Sequence, residues 1–318
     1  MAYNPTINHV AIVQAVRASF ADSVEAFERY VACPAIGVAG VRLRPPFVES
    51  RYGVAVESFD EFSRLATVLE QCPPNRTLGV SIHLQSSQIG LARWKALVFS
   101  LLHEAAALEE FTGRRFQLLD LGGGHHPDDA EQVLSESLPE LLEAASAKLP
   151  SLRWVILEPG KALVEPCAVV ISTVLEVRRR GEGFREAVVD ASIAELPLID
   201  AYPHRFVAVI GDRLDPLLPG RDSILGRLCM ENDILMPRVS LPETLKEGDR
   251  IAVCDAGAYD ASMAYSFGTG RALDRSGQPA AEAAEHHTKP PGHTGHSSRN
   301  RTATAGIVVT ESFSGDLR

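Results

Sequence analysis

From about His9 to Leu157, short apolar runs rich in β-branched residues alternate with amphipathic stretches. The apolar runs predict strands near Val10–Val16, Gly37–Leu43, Thr77–His83, Arg115–Leu121 and Arg153–Leu157. Between them, helical spacing predicts helices near Asp22–Val31, Phe59–Gln71, Ile89–Phe111 and Asp128–Leu149. Asp128 and Asp129 suit the positive end of the last helix. Such alternation in one direction marks parallel strands joined by crossover helices. About five steps of this kind fit either a barrel or an open doubly wound sheet.

The pattern changes after Val164. Runs at Val169–Val177, Glu186–Val189, Arg205–Ile210 and Arg250–Cys254, separated by Gly, Pro and Asp turns, predict an antiparallel β domain. Beyond Arg271 the chain is rich in Ala, His, Gly and Ser, with few apolar residues before Ile307–Val309. Such a stretch buries too little surface to offset its ordering entropy and is expected to be disordered. The expected division is 1–162, 163–270 and a tail, 271–318. The tail histidines His286, His287, His293 and His296 could bind a metal loosely, but such a tract is more often a solvated tail.

At 318 residues and 45% hydrophobic, the chain can build an ordinary globular core. A net charge of -10 leaves no basic surplus for nucleic acid or an anionic membrane. Small molecules and other proteins are the expected partners. The 5 cysteines are widely spaced and lack a CxxC pair, which argues against a disulfide framework or zinc site and favours a reducing, cytoplasmic setting. No signal peptide or membrane span is read.

Gly122-Gly123-Gly124 follow a predicted strand and precede a helix, where glycines let backbone N–H groups approach a phosphate. A tight βα turn explains them equally well. Glu158-Pro159-Gly160 ends the next strand, where a parallel barrel carries its catalytic groups; the alternative is a turn-capping carboxylate. His83, at another strand end, and Ser86 three residues on could meet an aromatic ring and a phosphate, or be satisfied within the fold. Further along, Gly226–Asp233 brings Cys229 beside carboxylates on an expected loop, and Asp255–Tyr259 leaves a strand at a glycine turn. A proton-donating thiol and a phosphate-binding phenol are one reading; a packing Cys and Tyr are the other.

Taken in order, RLRPP, SRYGV, GVSIHLQSS, LDLGGGH, ILEPGKALVEP, VVDAS, GRLCMEND and DAGAYDASMA resemble the fold-type III pyridoxal-phosphate decarboxylases, the ornithine, diaminopimelate and arginine decarboxylase family. The resemblance runs from about Ala21 to Phe267. It implies an α/β plus β architecture, a partial (β/α)8 TIM barrel of the alanine-racemase-like type followed by an antiparallel β domain. It also implies pyridoxal 5'-phosphate as cofactor, an amino acid as substrate, and a β domain whose loops complete the site of a second subunit.

By that resemblance His83 stacks on the pyridine ring and Glu158 pairs with its nitrogen. Ser86, Gly122, Gly123, Gly124, Gly160 and Tyr259 surround the phosphate, and Arg44 lies near the cofactor. Lys161 stands where the family has arginine, keeping the charge without the fork geometry. Cys229 is implied as the proton donor, and Asp200 and Asp233 as carboxylates for the distal end of the substrate. Met230 replaces a family acid next to the thiol, so altered substrate recognition is expected.

One family element has no counterpart. The family opens on a strand bearing AVKAN or similar, whose lysine holds the cofactor covalently. Lys95, Lys148, Lys161, Lys246 and Lys289 all lie outside any such motif. Arg17, in AVRAS, is no substitute, because a guanidinium stays protonated. The expected barrel is therefore N-terminally incomplete. Three readings follow: a decarboxylase whose lysine comes from a partner chain, in a homodimer or heteromer; an inactive homologue that regulates or binds a relative; or a truncated product of an ordinary decarboxylase gene.

Overall fold

The structure, a computed structural model, describes residues 17–202, 204–267 and 306–309. The chain divides into two compact units, Met1–Ala162 and Leu163–Arg318.

The first unit is a parallel sheet with helices on one side. Its elements are β1 (Ala18–Ala21), α1 (Val24–Ala32), β2 (Val38–Arg44), β3 (Val54–Ala55), α2 (Phe59–Gln71), β4 (Thr77–Ser81), α3 (Ser86–Ile89), α4 (Leu91–Thr112), β5 (Phe116–Gly123), α5 (Pro127–Gln132), α6 (Leu138–Lys148) and β6 (Trp154–Glu158). The strand order is β1-β2-β4-β5-β6, with β3 beside β2. All of these pairs are parallel. Among the described residues β1 and β6 each pair on one side only. The strand expected at Val10–Val16 lies outside the described residues.

Local chemistry sets the helix limits. The Ser23 hydroxyl accepts the Ala26 N–H at 3.2 Å and so caps α1, and Ser58 does the same for α2 with Asp60 and Glu61 in its first turn. Gly113 ends α4 in the left-handed conformation. The helix expected across Asp128–Leu149 is instead broken by a π turn at Val133–Ser137. Pro139 follows, and its ring lacks the N–H a regular α turn requires.

The two faces of the sheet are filled differently. Against the helices, Val41, Leu43, Val80, Ile82, Leu119 and Leu121 pack with Phe27, Leu65, Leu69, Trp94, Leu101 and Leu108. On the inner face Ala18, Phe20 and Leu118 form a smaller cluster. A Cβ at Gly40 would lie 2.2 Å from the Phe20 ring and one at Gly79 3.2 Å from it, so both glycines make room for that ring.

The division falls within α7 (Gly160–Val164), and the second unit begins at Leu163. It contains β7 (Ala168–Arg179), β8 (Arg185–Val189), β9 (Phe206–Ile210), β10 (Arg213–Pro216), β11 (Asp222–Leu225), β12 (Ile234–Val239), β13 (Arg250–Val253), α8 (Asp260–Met263) and β14 (Gly306–Val309). The order is β10-β9-β13-β7-β8-β11-β12, with β14 on β7. The sheet expected to be wholly antiparallel is mixed, because β11 runs parallel to β8. Its core gathers Val170, Val189, Leu196, Phe206, Ile224 and Ile251. Of the tail, Gly306–Val309 pairs antiparallel with β7; the rest, with its histidines, lies outside the described residues. No helix of the described residues is long and apolar enough to cross a membrane.

Candidate functional site

Three adjacent strands of the first unit end together. β5 runs on into the glycine turn until Gly123 pairs with Glu158 of β6, with a register shift after Asp120. Packing explains each glycine. A Cβ on Gly123 would sit 1.8 Å from the Glu158 carbonyl, and one on Gly122 2.6 Å from the Ile82 carbonyl. Gly122 and Gly124 also have φ of 66° and 84°, in the left-handed region that side chains disfavour. The turn therefore draws the ends of β4 and β6 against β5.

At this junction His83 Nδ1 lies 3.0 Å from Glu158 Oε2. Both side chains remain open to solvent, at 47% and 34%. Ser86 is buried, and its hydroxyl donates to the Gly123 carbonyl at 2.8 Å, tying the β4–α3 loop to the glycine turn. The neighbouring Ser87 hydroxyl is buried with no hydrogen-bond partner, while its N–H donates to the Gly124 carbonyl at 3.0 Å. Lys161 is buried and bonds His126 Nδ1 at 2.8 Å across the end of the same loop. Gly160 opens α7 with free space where a side chain would be.

Two residues missed by the sequence reading belong here. Asp120 is buried in β5 and accepts the Gly122 N–H at 2.9 Å. Burial, reinforced by the charge of Glu158, raises its pKa to about 6 against the bonds and charges that oppose it. An acidic residue amid the apolar LLDL run was the available signal. Arg42, not Arg44, is the arginine directed to the junction. It donates to the His83 carbonyl, pairs with Asp22 at 3.4 Å and lies over the Tyr52 ring at 5.2 Å. Arg44 stands two residues further along the same strand face, past the rim, where it donates to the Ser50 carbonyl at 2.8 Å.

His125, directly after the glycines, is buried edge-on against Trp94, with ring centroids 4.8 Å apart. Burial holds its pKa down, so it packs as a neutral ring.

The second unit presents its reactive groups on braced loops. Cys229 is exposed in the β11–β12 hairpin. The hairpin is fixed at one end by a fork from Arg227 to Glu195, at 2.9 and 2.6 Å. Asp233 fixes the other end. Buried, it accepts the N–H of Leu228 at 2.6 Å and of Ile193 at 2.9 Å. Asp233, implied as a substrate carboxylate, is bonded here to two backbone donors and braces the loop. Asp200 is exposed in a turn. Tyr259 is 46% exposed, and its ring stacks on Tyr202 with centroids 5.9 Å apart.

A carboxylate and an imidazole at the strand ends, beside a glycine turn flanked by the buried Lys161 and the unpartnered Ser87 hydroxyl, suit a flat cationic heterocycle bearing a phosphate. The donor set fits pyridoxal 5'-phosphate. A parallel half-barrel with that junction, followed by a mixed sheet, defines the class. The family model described as pyridoxal-dependent decarboxylase, C-terminal sheet domain, matches residues 15–257, and the chain belongs to that family.

Its relatives include diaminopimelate decarboxylases. That of Actinosynnema pretiosum subsp. auranticum is 28% identical over 233 residues, covering 69% of this chain and 50% of the relative. That of Neisseria meningitidis serogroup A is 29% identical over 234 residues, covering 69% and 52%. The chain thus spans about half the length of these curated relatives. Among solved structures, the arginine decarboxylase of Paramecium bursaria Chlorella virus superposes with a TM-score of 0.63 at 22% identity, covering 84% of this chain and 74% of that one. The lysine/ornithine decarboxylase of Vibrio vulnificus, complexed with putrescine, gives 0.63 at 21%, covering 85% and 73%. The partial barrel followed by a β domain is therefore the family fold.

Proposed function

We propose that this chain forms the cofactor-binding and sheet-domain part of a pyridoxal 5'-phosphate-dependent amino-acid decarboxylase. The observation that carries the reading is the meeting of His83 and Glu158 beside the glycine turn. On this reading Glu158 would hold a proton on the cofactor's ring nitrogen, and His83 would be the aromatic group that helps to hold the ring. The Gly122–Gly124 turn, Ser86, Gly160 and Lys161 of the first unit hold the phosphate, and Arg42 steadies the His83 backbone. In the second unit the Tyr259 phenol is the group offered to a phosphate.

Bound there, the cofactor supplies an acceptor for the electron pair left when the bond to the substrate carboxylate breaks. The Cys229 thiol delivers the proton that replaces the departing carbon dioxide, and an amine results. Asp200 is the remaining carboxylate for a cationic substrate tail.

The lysine that carries the cofactor comes, on this reading, from a partner chain. Lys95 is paired with Glu140, and Lys148 bonds His103 at 3.2 Å, both on the helices. Lys161 is committed to the glycine loop.

The test is to purify the chain alone and with the products of neighbouring genes, add the cofactor, reduce with borohydride and locate modified lysines by mass spectrometry. Cofactor binding by the chain, weakened at least tenfold by Glu158→Gln, is expected, with amine formed only when a lysine-bearing partner is present. Binding indifferent to Glu158 would sink the site assignment. A modified lysine and turnover in the chain alone would sink the partner.

A further inference from the structure

The turn that carries Tyr259 is strained at both ends. Asp255 has φ of 62° and Tyr259 φ of 68°, and neither is glycine. A side chain disfavours this conformation, so each such residue persists only where its surroundings hold it. Two consecutive residues do the holding. Arg205 forks onto Asp255, its Nε 2.7 Å from Oδ2 and its Nη2 2.9 Å from Oδ1. His204 Nε2 lies 2.9 Å from Asp260 Oδ2, with both side chains only 2% exposed.

The second nitrogen of His204, Nδ1, lies 2.9 Å from the Tyr202 carbonyl. An imidazole set between two acceptors donates from both nitrogens and is therefore protonated. Burial opposes that charge, but the bond and charge of Asp260, the Tyr202 carbonyl and Asp255 together hold its pKa above the ordinary histidine range. Tyr202 also supplies the ring on which Tyr259 stacks. The other Asp260 oxygen is buried with no hydrogen-bond partner, so the imidazolium is what balances its charge.

We propose that His204 and Arg205 are positioning residues that act as one clamp, fixing the two ends of the Asp255–Asp260 turn so that the Tyr259 phenol is set to meet an anionic phosphate. The assignment of a phosphate to Tyr259 rests on the function proposed above; the clamp rests on the turn itself. A short helix, α8, starts at Asp260, so the His204 pair also pins its first residue.

The test joins two measurements on the full chain. In the ligand-free protein, hydrogen exchange of the segment 255–263 should quicken at least tenfold in His204→Gln and by a smaller factor in Arg205→Lys, which keeps the charge and loses the fork. Strands of the first unit should be unaffected in both. Binding of pyridoxal 5'-phosphate should weaken about tenfold in Tyr259→Phe and in His204→Gln, while pyridoxal, which lacks the phosphate, should be bound within twofold of the native value. The double variant His204→Gln/Tyr259→Phe should bind no worse than Tyr259→Phe alone.

Unchanged exchange in both clamp variants, or additive losses in the double variant, would overturn the clamp. If His204→Gln fails to fold, Arg205→Lys decides by the same readings. If the native chain binds neither compound, the functional reading fails and exchange alone decides the clamp.

Discussion

The glycine turn of the first unit and the tyrosine turn of the second both use left-handed backbone, yet they are held by opposite means. Gly122 and Gly124 enter that region without steric cost, and the carbonyls of Ile82 at Gly122 and of Glu158 at Gly123 keep side chains out. Asp255 and Tyr259 bear side chains and are held there by the charges of Arg205 and His204. Geometry in the first case is written into the main chain, and in the second into ion pairs. The Cys229 hairpin belongs with the second, since Arg227 and Asp233 brace it. Volume should therefore be the sensitive variable at the glycine turn, and charge at the two loops.

The largest effect should come from volume. Gly123→Ala drives a methyl into the Glu158 carbonyl, and is expected to cost about 4 kcal/mol in urea unfolding and to abolish cofactor binding. A cost below about 1 kcal/mol would break the comparison. Next comes charge: Arg227→Met leaves the buried Glu195 without its ion-pair partner, held only by the Ser192 N–H and hydroxyl, for an expected loss of roughly 3 kcal/mol. The neighbouring Cys229→Ser should change stability by less than about 0.5 kcal/mol, because the thiol is exposed.

Asp120 tests the glycine turn for the reverse, a charge that harms. Its pKa of about 6 stands above the 3.8 of an ordinary aspartate, so ionising it costs the folded state. That penalty is absent below about pH 4, grows as pH rises to about 6 and is complete above it. Asp120→Asn keeps an acceptor for the Gly122 N–H, and should raise stability by roughly 3 kcal/mol near pH 7.5 and hardly at all near pH 4. Equal gains at both pH values would remove Asp120 from this account. The smallest effect is expected at the α1 cap, where Ser23→Ala should cost about 1 kcal/mol in the same unfolding experiment.

Strands β2, β4, β5, β6, β7, β8, β9 and β13 could be read from apolar runs, whereas β1, β3, β11 and β14 escape that reading, as do β10 and β12. Each of the last two is an outer strand of its sheet and carries a proline, Pro216 or Pro237. A proline argues against a strand unless an edge is known in advance. The parallel β8–β11 pair was hidden for a similar reason, since pairing direction depends on partners far apart in the chain.

In the site, strand-end residues such as His83 and Glu158 were legible because their places follow from the strands. Arg42 and Arg44 were not separable, since they share a strand face and only the third dimension shows which one clears the rim. Asp233 could be seen as an acid near the thiol, but its inward turn follows from the amides of Leu228 and Ile193, one of them 40 residues away.

Phe20, Gly40 and Gly79 lie on three neighbouring strands and divide one volume among them. Sequence change at these positions should be exchange: a side chain gained at either glycine must be matched by one reduced at Phe20. Related chains that carry alanine at one of the glycines should therefore carry a smaller residue at the phenylalanine position, a covariation that packing alone would impose, whatever the chemistry at the strand ends.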